Sequence, residues 1–281
     1  MSADRPGPST RARVWTLDGG TEVRRRDSLV TEEPLEIRLT AGGRTQTVAV
    51  TMRTPGNDFE LATGFLHAEG LLAGRPHQVS YCADVEREDQ QFNVVTVEAD
   101  GAPLEAPVRS GIVSSACGVC GSASLDALHE RGLCRVTDGP TIPAEVLYGL
   151  PDALRAAQGV FDSTGGLHGA GLFTADGALV AAREDVGRHN AVDKLVGWGV
   201  LGDRLPLSET VLMVSGRCGY EIVQKAVSAG IPVVASVSAP SSLAVAVAED
   251  FGLTLVGFLR DRRCNVYAGR ERIKLPVPAA T

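Results

Sequence analysis

Two cysteines separated by two residues, Cys117 and Cys120, are the side chains of this 281-residue protein best suited to covalent chemistry. They lie in GIVSSACGVCGSAS (residues 111–124), where glycines and small residues surround both thiols. This composition is typical of an exposed loop, because nothing in it is bulky enough to build a core. The spacing of Leu125 and Leu128 predicts a short helix directly afterwards, and a helix N-terminus favours the thiolate form of a nearby cysteine. The loop is therefore suited to chemistry on sulfur.

The same C-x-x-C spacing is also half of a four-cysteine zinc site. Such a site needs two further ligands, usually as a second close pair, and the other cysteines stand singly at 82, 134, 218 and 264. A thioredoxin-type redox motif would follow a buried strand, whereas glycine and serine precede this pair. The spacing alone leaves a working sulfur site and a structural role about equally open.

Three polar, glycine-rich loops in the second half of the chain indicate an anionic ligand. They are STGGLHG (163–169), EDVGRHN (184–190) and SGRC (215–218). Glycines let the backbone approach a ligand, helix N-termini offer free N–H groups to anions, and arginines add charge-assisted contacts. Turn formation and an Asp185–Arg188 pair would explain any single loop, but three together favour a phosphate-bearing ligand. The candidate binding residues are His168, Gly187, Arg188, His189, Ser215, Gly216 and Arg217.

A basic segment follows the last strand expected in this otherwise acidic chain. Its candidate binding residues are Phe258, Arg260, Asp261, Arg262, Arg263, Cys264 and Asn265. A run of charges is usually a solvated face. Because the segment stands at a strand end, contact with a phosphate or a nucleotide is an alternative to a merely solvated face.

His67-Ala68-Glu69 and the later C-x-x-C pair have the order found in zinc nucleobase deaminases, H-x-E and then P-C-x-x-C. Ala116 stands where those enzymes have proline, and strands are expected in the interval between the two motifs. An amphipathic helix with His67 on its surface explains the first motif equally well. The deaminase interpretation is therefore the weaker one.

Composition places the chain among globular proteins, since 44% of its residues are apolar. A net charge of −7 argues against general nucleic-acid binding. The sequence shows no apolar run long enough to span a membrane and no secretory signal segment, so we expect a cytoplasmic protein without a membrane span. Six irregularly spaced cysteines fit reduced thiols rather than a disulfide framework.

The apolar pattern predicts the elements that must position these groups. In the first half a hairpin, a helix and two strands are expected at 34–50, 54–72, 78–86 and 91–98. A helix over 143–158 is expected to be interrupted at Pro151, because proline has no N–H to donate. In the second half paired strands are expected at 167–186, helices at 190–201, 220–230 and 241–252, and strands at 210–215, 231–238 and 253–260.

Apolar strands that alternate with helices indicate an α/β protein, α+β overall, with a mixed sheet covered by helices on both faces. Ligands of such sheets bind beyond the carboxyl ends of the strands. The expected organisation is a disordered N-terminus (1–10), a small α+β domain (11–110), a mobile cysteine loop (111–124) and a larger α/β domain (125–281).

Six segments of the chain carry a family resemblance. They are MRTPGNDFELATGFLHAEGLL (52–72), SSACGVCG (114–121), TGGLHGA (164–170), EDVGRHNAVDKLVG (184–197), SGRCGYEIVQKA (215–226) and LTLVGFLRDRRCNVY (253–267). Together they resemble the FdhD/NarQ family of formate dehydrogenase accessory sulfurtransferases. Each motif alone is weak, but the combination is specific and spans nearly the whole chain.

The resemblance implies a function in sulfur transfer. A cysteine desulfurase would pass sulfur to the C-x-x-C loop as a persulfide, and the protein would deliver it to molybdenum or tungsten in the bis(molybdopterin guanine dinucleotide) cofactor, as formate dehydrogenase activity requires. It also implies a homodimer whose larger domain is similar in fold to cytidine deaminases but lacks their catalytic zinc.

The resemblance also implies roles for individual residues. Cys117 matches the position of the persulfide, and Cys120 would assist or share the sulfur. Arg260 to Asn265 match a segment associated with cofactor binding, and the glycine-rich loops could complete that pocket. Cys218 departs from the family pattern, which more often has Ser or Ala there; we treat it as a bystander, with a relay of sulfur inside the pocket left open.

Two other functions remain open at this point. A cofactor chaperone would bind the guanine dinucleotide and tolerate loss of both loop cysteines. A zinc-dependent hydrolase would need Glu69 and stoichiometric metal.

Overall fold

The structure is a computed structural model that describes residues 5–82, 91–101 and 121–276. The predicted cysteine loop, with Cys117 and Cys120, lies outside these ranges apart from its last residues. No helix in the described parts of the chain is long and apolar enough to cross a membrane.

The first part of the chain forms an antiparallel ribbon, a mixed four-stranded sheet and one helix. A two-stranded ribbon consists of β1 (Ser9–Asp18) and β2 (Thr21–Val30). A four-stranded sheet in the order β4-β3-β6-β5 consists of β3 (Glu33–Ala41), β4 (Arg44–Arg53), β5 (Gln78–Tyr81) and β6 (Val94–Glu98). Helix α1 (Asp58–Ala68) follows β4. The predicted hairpin is confirmed, and both Gly42 and Gly43 have positive φ angles at its turn.

The second part is organised around a mixed six-stranded sheet in the order β13-β12-β11-β10-β8-β9. Its strands are β8 (His168–Phe173), β9 (Leu179–Asp185), β10 (Val211–Val214), β11 (Val233–Ser236), β12 (Thr254–Arg260) and β13 (Arg263–Ala268). The helices are α2 (Gly121–Glu130), α3 (Ala144–Ala156), α4 (Gly159–Thr164), α5 (Arg188–Leu201), α6 (Tyr220–Ser228) and α7 (Ser242–Asp250). Short strands β7 (Ile142–Pro143) and β14 (Ile273–Lys274) pair beside a 3₁₀ turn at Arg270–Arg272.

Helices cover both faces of the large sheet, as predicted. In β10, Leu212 and Val214 belong to one buried apolar cluster, whereas Val211 and Met213 belong to a second. The first cluster includes residues of α5, α6 and α7, and the second includes residues of α3. Successive side chains of a strand point to opposite faces, so the two clusters lie on opposite sides of the sheet.

Two local predictions differ from the structure. Strand β1 begins at Ser9, inside the segment expected to be disordered, because its residues pair with β2 along their whole length. Helix α3 continues through Pro151. Proline removes one main-chain hydrogen bond, but Leu147 and Leu154 on either side are fully buried, and that apolar face holds the helix together.

Helices α1 and α5 belong to different predicted domains and cross in close contact, with a glycine of each helix at the crossing point. A Cβ atom on Gly197 would collide with the carbonyl oxygen of Glu60, and one on Gly64 would collide with the carbonyl oxygen of Asp193. Only glycine permits this approach of the two backbones. One buried cluster accordingly contains residues of both predicted domains, among them Leu61 of α1.

We expect Gly197→Ala to destabilise the fold by about 1–3 kcal/mol, since the new methyl group must push two helix backbones apart. Gly149 provides a matched control within α3, because a Cβ there meets nothing within 4 Å. Gly149→Ala should leave stability unchanged or raise it by up to about 1 kcal/mol through helix propensity. Urea unfolding of both variants measures the difference, and equal stabilities would contradict the close crossing.

Candidate functional site

The predicted binding loops gather at one edge of the six-stranded sheet. Strands β10, β11 and β12 are parallel, so their carboxyl ends share this edge, and the antiparallel β8 begins there with His168. Ser215 directly follows β10, and Phe258, near the end of β12, donates its main-chain N–H to the carbonyl oxygen of Ser238 at 3.1 Å. The edge is the one expected for ligands of such sheets.

Two of the predicted loops are fastened to each other. The main-chain N–H of Gly169 donates to Oγ of Ser215 at 2.8 Å, and the main-chain N–H of Ser215 donates to the carbonyl oxygen of Gly169 at 2.9 Å. A Cβ on Gly216 would come within 3.2 Å of Nδ1 of His168 and 4.0 Å of Cδ of Arg188. Glycine at 216 therefore lets the imidazole and the guanidinium lie close to the main chain of this loop.

A cleft of about 560 Å³ opens beside these loops. Its walls include His168 and Ser215, the glycines 165 and 166, and side chains of the second half of α3 such as Arg155. Its volume falls in the range of small-molecule sites. Of the sequence-predicted residues, the structure thus brings His168 and Ser215 into one cavity, with Gly216 and Arg188 against His168.

The electrostatics of this edge favour an anion. Burial lowers the pKa of His168, and the guanidinium groups of Arg188 and Arg217 lower it further, whereas the carboxylate of Asp185 acts in the opposite direction. His168 is therefore neutral near pH 7. Among the described residues, Nε of Arg188 is buried without a hydrogen-bond partner. A buried donor of this kind is costly unless a ligand accepts from it.

His189 is also neutral near pH 7. Burial lowers the pKa of His189 to about 3, with further contributions from Arg188 and Lys225. Its Nδ1 lies 3.1 Å from Oε2 of Glu221. Burial and the surrounding cations disfavour the imidazolium.

Asp185 holds the turn that carries Arg188 and His189, a role the sequence did not reveal. Its carboxylate accepts from the main-chain N–H of Gly187 at 2.8 Å and of Thr54 at 3.1 Å, and from Nδ2 of Asn190 at 2.9 Å. Nζ of Lys194 lies 2.7 Å from it, and both side chains of this ion pair are almost fully buried. An Asp185–Arg188 pair is the alternative explanation that the sequence offers for this loop. In the structure Asp185 instead forms its ion pair with Lys194.

The end of β4 and the residues after it complete this network. They connect the segment 52–72 to the segment 184–197, two of the motifs singled out from the sequence. Nζ of Lys194 donates to the carbonyl oxygen of Thr54 at 3.1 Å, and Nδ2 of Asn190 donates to that of Met52 at 2.8 Å. Next to them, the fully buried guanidinium of Arg53 binds the carboxylate of Asp58 through two nitrogens. The small sheet thereby buttresses the binding turn of the large one.

The basic segment lies at the same edge of the sheet, but it does not line the cleft in the described part of the chain. Arg262 contacts Glu145 and lies over the ring of Tyr148 at 5.5 Å, both near the start of α3. Arg155, which does line the cleft, is ten residues further along that helix, a distance of roughly 15 Å. The side chains of Arg260, Asp261 and Arg263 are exposed, as is that of Asn265.

Two described cysteines, Cys218 and Cys264, lie near this edge. Cys218 is fully buried, and burial raises the pKa of its thiol to about 12. Burial likewise raises the pKa of the half-buried Cys264. Neither thiol forms a thiolate readily. The helix predicted after the C-x-x-C pair is confirmed as α2, which begins at Gly121.

His67 of the deaminase-like motif has a structural role. Its Nδ1 lies 3.2 Å from the carbonyl oxygen of Leu72, and its Nε2 lies 2.9 Å from that of Ser228 at the end of α6. A metal ion could bind either nitrogen only at the cost of one of these contacts. Glu69 merely ends α1 as its C-cap.

Comparison with known proteins shows that the chain is similar to one family over most of its length. The FdhD/NarQ family profile matches residues 30–274. Proteins described as sulfur carrier protein FdhD are 52% identical in Mycolicibacterium paratuberculosis (94% of this chain, 98% of that one), 53% in Streptomyces avermitilis (96% and 97%) and 44% in Sulfurisphaera tokodaii (94% and 98%).

A solved structure gives the same fold. The crystal structure of a provisionally assigned formate dehydrogenase accessory protein from Desulfotalea psychrophila superposes with a TM-score of 0.73 and 25% identity, covering 95% of this chain and 99% of that one. With a family profile matched over most of its length and relatives half identical to it, this chain belongs to the FdhD/NarQ family.

Proposed function

We propose that this protein is a sulfur carrier that serves formate dehydrogenase. It accepts a sulfur atom on Cys117 from a cysteine desulfurase and delivers it to the bis(molybdopterin guanine dinucleotide) cofactor, which is its cargo. The observation that carries the proposal is the C-x-x-C pair immediately before α2, in a chain half identical to proteins described as sulfur carriers.

Sulfur loading is a thiol–persulfide exchange. The Cys117 thiolate attacks the terminal sulfur of the donor persulfide, the S–S bond of the donor breaks, and the donor thiolate leaves. In delivery, the S–S bond of the Cys117 persulfide breaks and its thiolate returns, while the reduced metal centre of the cargo supplies two electrons and takes the sulfur as a sulfido ligand. Cys120 directly precedes α2 in the sequence, and the dipole of a helix favours the thiolate form of a cysteine at its N-terminus.

The cleft would hold a phosphate-bearing end of the cargo. Arg188 offers an unpaired N–H, Arg217 adds positive charge, and the neutral His168 and His189 can exchange hydrogen bonds with ribose or base. A volume of about 560 Å³ suits one nucleotide rather than the whole cofactor. The exposed Arg263 would then contact a more distant part of the same extended cargo.

A cofactor chaperone without sulfur chemistry is the second candidate, because the cleft by itself would bind a nucleotide. One experiment separates the two functions. A strain that lacks this protein should have inactive formate dehydrogenase, and wild type should restore the activity. A variant without either loop cysteine should not restore it, whereas full restoration would favour the chaperone. The homodimer and the cytoplasmic location stay predictions.

Binding of the nucleotide should strengthen as pH falls below 6.5, the ordinary pKa of histidine. The free protein has a depressed pKa at His168, set by burial and by Arg188 and Arg217 against Asp185, with His189 close by. A bound phosphate raises that pKa, so binding takes up a proton and is favoured at lower pH. Titration calorimetry of guanosine diphosphate in two buffers of different ionisation enthalpy measures the uptake. His168→Gln should abolish it, and an unchanged uptake in that variant would exclude His168.

A further inference from the structure

The β1–β2 ribbon presents a basic face that nothing in the described chain covers. In its register Arg13 lies opposite Arg26, Trp15 opposite Arg24 and Leu17 opposite Glu22. Directly paired residues share a face, and alternate residues of each strand do too. One face of the ribbon, the basic face, therefore carries Arg11, Arg13, Trp15, Leu17, Glu22, Arg24 and Arg26. All seven side chains are exposed.

This face is unusual in composition for a surface left to water. Trp15 is 61% exposed and Leu17 is 76% exposed. The ribbon contains five of the 27 Lys and Arg residues of the chain but only three of its 34 Asp and Glu residues, so it is basic on an acidic protein. Arg13 and Arg26 repel each other across the strands, and a two-stranded ribbon is marginally stable alone. An acidic partner would offset the repulsion between the arginines and would stabilise the ribbon by packing on it.

The ribbon is anchored at the candidate site. Val30, the last residue of β2, packs so closely on Gly166 that a Cβ there would lie 2.7 Å from Cγ2 of Val30. Gly166 is part of the cleft wall. A protein held on the ribbon would thus lie beside the mouth of the cleft, where cargo must pass.

We propose that the basic face docks an acidic patch on the enzyme that takes the cargo from the cleft. This rests on the proposed function, which makes that enzyme formate dehydrogenase. Tryptophan and arginine are the residues that most often dominate protein interfaces. Nucleic acid is a poorer fit, because Asp18 and Glu22 lie at the tip of the ribbon. A second copy of the face is a poorer fit than an acidic patch, since it would bring four arginines but only one carboxylate, Glu22, to the contact.

The test compares two charge reversals on the same ribbon. Arg13 lies on the basic face and Arg25 on the opposite face, and both are exposed. Binding of immobilised wild type and variants to cofactor-free formate dehydrogenase is measured by interferometry. Arg13→Glu and Trp15→Ala should each weaken binding about tenfold or more, while Arg25→Glu should change it by less than about threefold. Raised salt should weaken wild-type binding and have less effect on Arg13→Glu.

Three results would overturn the proposal. The first is an equal effect of Arg13→Glu and Arg25→Glu on enzyme binding. The second is that Arg13→Glu loses self-association, measured by sedimentation, but still binds the enzyme. The third is that Arg13→Glu loses binding to a DNA duplex but still binds the enzyme. Sulfur loading of Arg13→Glu by a desulfurase should remain normal, which also shows that the variant folds. A wild type that binds the enzyme but never loads sulfur would refute the proposed function and leave the docking face standing.

Discussion

Cys117→Ala is expected to lose all sulfur loading from a cysteine desulfurase and to leave formate dehydrogenase at the activity of a strain without this protein. The attacking thiolate is absent in the variant, and no described cysteine can replace it at the binding edge, since Cys218 is buried with a raised pKa. Intact-protein mass spectrometry after incubation with desulfurase and cysteine detects one added sulfur atom in wild type, removable by a reductant.

Cys134 supplies the matched control for this experiment. Its thiol is free and exposed, on the segment after α2. Cys134→Ala should load sulfur as wild type does, because exposure alone does not make a cysteine a sulfur carrier. Normal loading of Cys117→Ala would contradict the assignment of the persulfide to Cys117, and loss of loading in Cys134→Ala would move it away from the C-x-x-C pair.

Asp185→Ala should cost about 3–5 kcal/mol of unfolding free energy, the largest effect on stability that we expect from one side chain. The substitution leaves the buried ammonium of Lys194 without its carboxylate, and it releases the N–H groups of Thr54 and Gly187. The turn that carries Arg188 loses its support as well, so nucleotide binding should fall with stability. Urea unfolding and calorimetry measure the two effects.

Asp162→Ala is a suitable control because its ion pair with Arg155 is exposed. It should change stability by less than about 0.5 kcal/mol. Asp185→Leu combined with Lys194→Met should recover part of the loss, since removing both charges is far less costly than removing one. A loss below about 1 kcal/mol in Asp185→Ala would mean that this pair does not hold the turn.

The sequence was sufficient to predict the parts of the site that depend on local patterns. Apolar strands alternating with helices placed Ser215 and His168 at one edge of a sheet, and the spacing of Leu125 and Leu128 located α2 directly after the cysteines. These predictions succeed because strand period, helix period and turn residues are set by near neighbours.

Contacts between distant segments could not be predicted in this way. The Asp185–Lys194 pair forms only when β9 and α5 are packed against the segment after β4, and Arg262 finds Glu145 on a helix more than a hundred residues earlier. Pro151 suggested a break that the buried face of α3 overrides. The exposure of Trp15 could not be predicted either, since an alternating strand pattern does not show whether another element covers a given face of the strand.

The transfer of labelled sulfur from protein to cargo tests the central proposal most directly. Protein loaded with ³⁵S persulfide on Cys117 is freed of donor and mixed with reduced bis(molybdopterin guanine dinucleotide) cofactor that lacks the sulfido ligand, and both fractions are counted over time. We predict that label leaves the protein, appears on the cofactor in equal amount, and confers activity on cofactor-free formate dehydrogenase. Label that stays on the protein while the cofactor remains bound would contradict a sulfur carrier and leave a cofactor chaperone.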